Sequence, residues 1–319
     1  MTTYFAALLL GYAVTTGVVA DRLLARAAWT ARHPAAALWV WHACAGGFLL
    51  AIAAASVVAA HDLWERAIVW IFHADKPQVH LAYAGKNEVG PWWNVTLVVV
   101  LAVYVGLAAI AARQAYRNHL TRSKHRRIAD LLTTQSRYDD VQVLQTATPA
   151  AYCLPGRRRT ARIIITIGAV DMLTATELEA TIEHERAHLH FGHHRMILWA
   201  DAVTALLRPT GVLKNYADQV RRLSEMAADD RAAVRCGPRL VASALLAMCT
   251  IDPSPSTGSG QLAMSGSRPA ERIRRLLHTT PAELERTSSI LVIGTTLAIS
   301  QIPLALLLVP AFSLAGTAH

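Results

Sequence analysis

TIEHERAHLHFGHH, Thr181 to His194, is the stretch from which the rest of the chain can be read. His184, Glu185 and His188 within it spell H-E-x-x-H. On a helix, residues four apart stack on one face, so both imidazoles can point at one ion. Two neutral imidazoles with a vacant side suit Zn²⁺, which in catalytic sites takes three protein ligands and a water. Glu185, beside the first ligand, is placed to take a proton from that water. The bland alternative is a solvent-facing helical turn. Ala180, Ile182, Ala187 and Leu189 argue against it, because an apolar helix must satisfy the polar groups it buries, and a metal does so efficiently. His193 and His194 are expected past the helix end, as polar surface residues.

A third ligand is sought downstream. Residues Lys214 to Cys236 read as a helix ended by Gly237 and Pro238. It contains RRLSEMAADDRAA, in which Glu225 and Asp229 are four apart and Ala228 is small enough for close helix approach. Glu225 can supply a carboxylate ligand, giving a His₂Glu site. Asp229 can accept the free N–H of a ligand imidazole and fix its tautomer. Solvated helix charges are the commoner fate of such a pair; alongside H-E-x-x-H the ligand reading stands ahead.

The chain has 319 residues, 53% of them hydrophobic and only 17% charged, with mean hydropathy +0.30. That balance points to membrane spans rather than to an ordinary soluble domain. Apolar segments over about Thr3–Ala20, Ala35–Ala60, Trp93–Ala112 and Ser288–Phe312 each approach or exceed the roughly 18–20 residues a spanning helix needs. The flank MTTY before the first carries no Lys or Arg, so a retained span is expected rather than a cleaved signal peptide. Four scattered cysteines, Cys44, Cys153, Cys236 and Cys249, form neither a zinc ribbon nor a disulfide framework.

The net charge of +9 is explained by where the basic residues sit. The loop Asp21–Pro34 is basic, and Arg113–Arg127 has six Lys/Arg and no acid. His61–Pro91 mixes both signs, with an amphipathic segment at Asp62–Phe72 expected on the membrane surface. Positive-inside bias puts both termini outside and the region 113–287 in the cytosol, in an inner (plasma) membrane protein. The basic run is read as a topology determinant touching anionic lipid headgroups. Because it abuts a span and holds Tyr116 as its only aromatic, no direct nucleic-acid binding is expected.

The expected fold is a mainly α membrane protein. Residues 1–127 carry three spans and the basic segment, 128–287 form a cytosolic α+β zinc-peptidase domain, and 288–319 carry the last span and a short tail. Within the domain, Ile128–Gln135 should continue the third span as a helix. Val141–Ala147, Ala151–Gly156 and Arg162–Thr166 should give a small antiparallel sheet. Thr174, Thr176, Glu177 and Glu179 mark a helix start. Met196–Leu207, the longest apolar run between the two motifs, is broken by Asp201 and too short to span. Residues 252–267 read as a flexible linker, and Arg268–His278 as a basic helix.

AYCLPG…IIITIGAVDMLTATELEATIEHERAHLHFGH followed by SEMAADDRA resembles the membrane metalloproteases of the HtpX and CAAX-prenyl endopeptidase group. It also resembles the related BlaR/MecR receptor peptidases. Three spans before the domain, one after it and none between the motifs match the BlaR/MecR plan, with the penicillin-binding sensor domain lacking. The resemblance implies zinc on His184, His188 and Glu225, with Glu185 as general base. It also implies a substrate peptide adding as a strand along the edge Ile163, Ile164, Ile165 and Thr166, and Arg272 as a family arginine supporting the active site. It further implies an integral membrane zinc endopeptidase in signalling by regulated proteolysis, acting on a peptide or protein such as a BlaI-like repressor or on itself. Quality-control turnover of membrane proteins and a non-catalytic receptor or scaffold are the alternatives.

Overall fold

The computed structural model describes residues 2–59, 133–135, 140–156, 161–249 and 268–278, with a few isolated positions besides. The third and fourth expected spans, the amphipathic segment 62–72, the basic run 113–127 and the linker 252–267 lie outside the described residues.

The N-terminal part is a helical hairpin. Helix α1 (Thr2–Val14) continues through a π-helical turn (Thr15–Val19) into α2 (Ala20–Arg26). A short α3 (Ala28–Arg32) leads into α4 (Pro34–Ala59). Pro34 opens α4, where its missing N–H costs no hydrogen bond. Ala7–Arg26 and Pro34–Ser56 are, among the described residues, the two stretches long and apolar enough to cross a bilayer.

Four strands form one sheet: β1 (Thr133–Gln135), β2 (Val141–Leu144), β3 (Ala151–Leu154) and β4 (Arg162–Thr166), in the order β1-β2-β4-β3. Two expectations need correction here. Thr133–Gln135 is a strand paired antiparallel to β2, not the end of a long helix. The sheet is mixed, not antiparallel, since β2 and β4 run parallel with Val141 opposite Ile163. Strand β3 lies antiparallel on the other flank of β4, with Ala151 opposite Ile165. The inserted β3 returns to the far side of β4, which leaves β4 free to lie parallel to β2.

Ile163, Ile164 and Ile165 are all buried in β4, as expected of a strand covered on both faces. A brief helix α5 (Ile167–Met172) then gives way to α6 (Ala175–Phe191). Thr174 caps α6 in a capping box: its hydroxyl accepts from the Glu177 N–H, and the Glu177 carboxylate accepts from the Thr174 N–H. Gly192 ends α6 in the left-handed conformation, φ 66°, and α7 (His193–Leu207) starts at once. Its 15 residues reach roughly 22 Å at 1.5 Å per residue, short of a hydrocarbon core of about 30 Å. Then follow α8 (Tyr216–Cys236), α9 (Pro238–Cys249) and α10 (Pro269–His278).

Helix α8 joins two cores. Its C-terminal half, through Ala232 and Ala233, meets Ile163 and Ile165 of the sheet, Ile182 of α6, Val241 and Leu245 of α9 and Leu276 of α10. Its N-terminal half, through Tyr216, Val220 and Leu223, packs with Ile197 and Val203 of α7 against Leu38, Trp41 and Phe48 of α4. In the core beside the sheet, each Ile, Val or Leu side chain withdrawn from water contributes about 1.5–3 kcal/mol. The face between these cores carries Glu225, Ala228, Asp229 and Ala232, spaced three and four apart, and it lies against α6.

Candidate active site

Helix α6 turns His184, Glu185 and His188 inward, and all three are essentially buried. Helix α8 brings Glu225 and Asp229 to meet them, both buried as well. The Nε2 atoms of His184 and His188 face each other at 3.2 Å. Glu225 Oε2 lies 3.7 Å from His184 Nε2, and Glu225 Oε1 lies 3.5 Å from His188 Nε2. Two donor atoms held about 2.0–2.1 Å from one tetrahedral ion lie about 3.3–3.4 Å apart. The two imidazole nitrogens match that spacing, and the carboxylate is within a few tenths of an ångström of it. These three residues can hold a metal ion. The three residues expected from the sequence are the three that the fold brings together.

The other side of each ligand is also occupied. His184 Nδ1 is 3.0 Å from Asp229 Oδ1. That separation suits a hydrogen bond, although the ring N–H is turned off the ideal line. Arg272, delivered by α10, is 1% exposed. Its Nε and Nη2 donate to the two Asp229 oxygens, each at 2.7 Å, and its Nη1 donates to Glu225 Oε2 at 2.8 Å. One guanidinium thus orients both carboxylates. The arginine expected from resemblance does sit at the site. Arg222–Glu271 and Arg275–Asp230 pairs fasten α10 to α8 on either side of it.

The protonation pattern follows. Burial alone would depress His184, but the Asp229 and Glu225 carboxylates overcome it and hold it at about 9. Burial lowers His188 to about 4. Glu225 and Asp229 are buried too, yet Arg272 and the histidines keep both below the usual carboxylate range. Burial pushes Glu185 up to about 7, a rise offset in part by His184 and reinforced by Glu225. A cation beside it would bring it down again. Neither Glu185 oxygen has a well-formed hydrogen bond among the described residues. Cys153 of β3 lies close enough to influence its charge. A buried carboxylate held near neutrality beside a His–His–Glu cluster is arranged to receive a proton.

Two expectations change. Ile163, Ile164, Ile165 and Thr166 cannot serve as a sheet edge, because β4 is paired on both sides, with β2 and β3. The strand beside α6 that is unpaired on its outer side, among the described residues, is β3. His193 is not a surface residue: it is 1% exposed, with Nδ1 3.1 Å from His188 Nδ1. Sequence reading missed it because the helix was expected to end there. The signal was Gly192, which lets the chain turn and begin a new helix at His193 itself. His194 is partly buried on the same turn.

No curated protein and no solved structure matches this chain. The model of peptidase family M48 matches residues 114–292, more than half of its length and inclusive of every residue of the cluster. The protein thus belongs to peptidase family M48, a family of metallopeptidases.

Proposed function

We propose that the protein is an integral membrane zinc endopeptidase that hydrolyses peptide bonds on the cytosolic side. The observation that carries this is the convergence of His184, His188 and Glu225 around one point, with the buried Glu185 carboxylate on the same helix as both histidines. In this reading those three side chains hold the ion. Zinc, when bound, would polarise the scissile carbonyl and lower the pKa of a water to about 7.

The chain's own residues do the rest. Glu185 accepts the proton from the attacking water and passes it to the departing amine, so one carboxylate acts as base and then as acid. Asp229 fixes the His184 ring through Nδ1, keeping Nε2 free for ligation. Arg272 holds Glu225 and Asp229 in place and offsets their charge. Cys153 places the middle of β3 near Glu185. A substrate strand laid along the open side of β3 would carry its carbonyls past the base.

Support for a membrane setting comes from the helices at Ala7–Arg26 and Pro34–Ser56. The end of the first helix and the segment after it touch the peptidase domain. Asp21 accepts from the Asn215 backbone and side-chain amides, at 3.2 and 2.8 Å, and Ala31 O accepts from Arg275 Nε at 2.7 Å. These contacts favour a topology with the 21–34 loop and the peptidase domain on the same, cytosolic, face. A BlaR/MecR-like role in regulated proteolysis, on a repressor or on the chain itself, fits the absence of a spanning helix between His188 and Glu225.

Comparison of new protein N-termini in cells carrying the wild type or Glu185→Gln tests this function. Fragments of cytosolic proteins that vanish in the mutant support regulated proteolysis. Fragments of membrane proteins alone point to quality control, and an unchanged set of fragments contradicts the enzyme.

A further inference from the structure

His193 has no place in the ligand set, yet it is as buried as the ligands. On an uninterrupted helix it would sit five residues from His188, about 140° around the axis at 3.6 residues per turn, and could not meet it. Gly192 changes this. With φ 66° it ends α6, and the first residue of α7 swings back over the last turns of α6. The His193 ring meets His188 edge to face, with centroids 4.9 Å apart, and it stacks with Phe191 at 5.4 Å. The ring is thus clamped in one orientation, with Nδ1 3.1 Å from His188 Nδ1.

The tautomers follow from the ligand set. His188 presents Nε2 to the cluster, 3.5 Å from Glu225 Oε1, and a ligating nitrogen must be bare. Neutral His188 therefore carries its proton on Nδ1, which lies within hydrogen-bonding distance of His193 Nδ1. We propose that His193 is a positioning residue for the second histidine of the metal site, accepting the His188 Nδ1–H on its own Nδ1 and carrying its own proton on Nε2. This rests on the metal-site assignment above and deepens it. The two ligands then have unlike supports: His184 leans on the Asp229 carboxylate, His188 on a neutral ring. With a divalent ion bound, the charges of Glu185, Glu225 and Asp229 are already balanced by the ion and buried Arg272, and a second carboxylate there would leave a net negative charge. An imidazole fixes the tautomer without that charge.

The test is Zn²⁺ affinity of the full chain in detergent micelles, by competition with a chromophoric chelator, for wild type, His193→Leu and His193→Gln. Leucine fills the space without an acceptor, while glutamine offers an amide oxygen. The leucine variant should bind Zn²⁺ about 10–100-fold more weakly, and glutamine should recover most of the loss. In the Co²⁺-loaded proteins, the visible absorption bands should shift in the leucine variant and return toward wild type in the glutamine one. Unchanged affinity in His193→Leu, or equal losses in both variants, would overturn the assignment, the latter in favour of simple packing. A wild-type chain that takes up no Zn²⁺ would instead sink the metal site itself.

Discussion

Arg272 is the residue on which the electrostatics of the site depend most. It is buried between two carboxylates that are themselves buried, and each of the three would be costly alone. Removing one partner of such a group typically costs about 3–5 kcal/mol, because the others are left uncompensated. Arg272→Met should therefore lower unfolding stability by about that amount without metal. Added Zn²⁺ should restore a larger share in the variant than it adds to wild type, since a cation supplies the missing charge; thermal unfolding with and without the ion reads both effects. Asp229→Ala should weaken Zn²⁺ binding about 10–100-fold through loss of the His184 support, measured by chelator competition. At this scale the sequence was informative wherever helical spacing alone aligned the groups, as for His184 with His188 and Glu225 with Asp229. Arg272 was legible only through resemblance, since it comes from a separate helix 47 residues beyond Glu225. His193 was hidden because its placement needs a left-handed turn that periodicity does not register.

The sheet shows what helix-scale and strand-scale patterns leave open. Alternation and β-branching marked Val141–Ala147 and Arg162–Thr166, with Ala151–Gly156 between them as the third expected strand, and strands form at Val141–Leu144, Ala151–Leu154 and Arg162–Thr166. Their order did not follow, because neither pattern nor propensity says whether a returning strand lies beside its neighbour or beyond it. That order decides that β4 is interior and β3 is open. The turn into α5 has a tight constraint of its own: a Cβ on Gly168 would run into the backbone carbonyl of Ala147. Because backbone cannot move aside as a long side chain can, Gly168→Ala should destabilise the domain by about 1–3 kcal/mol. Chemical denaturation would register the loss, and a neutral result would mean that the 146–150 segment yields easily. At the start of α6, Thr174→Ala removes the hydroxyl half of the capping box and should cost about 1 kcal/mol. The same denaturation experiment measures it.

Over the whole molecule, the apolar N-terminal hairpin packs directly against the peptidase domain. Trp41 and Tyr216 stack with ring centroids 6.2 Å apart, and the backbone N–H of Leu213 donates to Gly17 O at 3.1 Å. Composition announced apolar helices and a charged domain, but not that α7 and the start of α8 pack along the hairpin. Such contacts join residues nearly 200 positions apart, which local pattern cannot reach. Asp21→Ala would strip the Asn215 amides of their acceptor and should cost about 1–3 kcal/mol of stability, seen as a lower Tm in detergent. Because Asp21 is remote from the cluster and shares no partner with it, Zn²⁺ affinity should change by less than about twofold.

The central claim is that His184, His188 and Glu225 hold a catalytic ion that works together with Glu185. The most direct measurement takes purified wild type and Glu185→Gln, determines zinc per chain for each, and follows cleavage of an unfolded protein substrate. Both proteins should hold close to one ion, and the wild type alone should cleave, with activity lost to a chelator and regained with Zn²⁺. Cleavage by the metal-loaded Glu185→Gln protein at the wild-type rate, or chains that hold no zinc, would contradict the account.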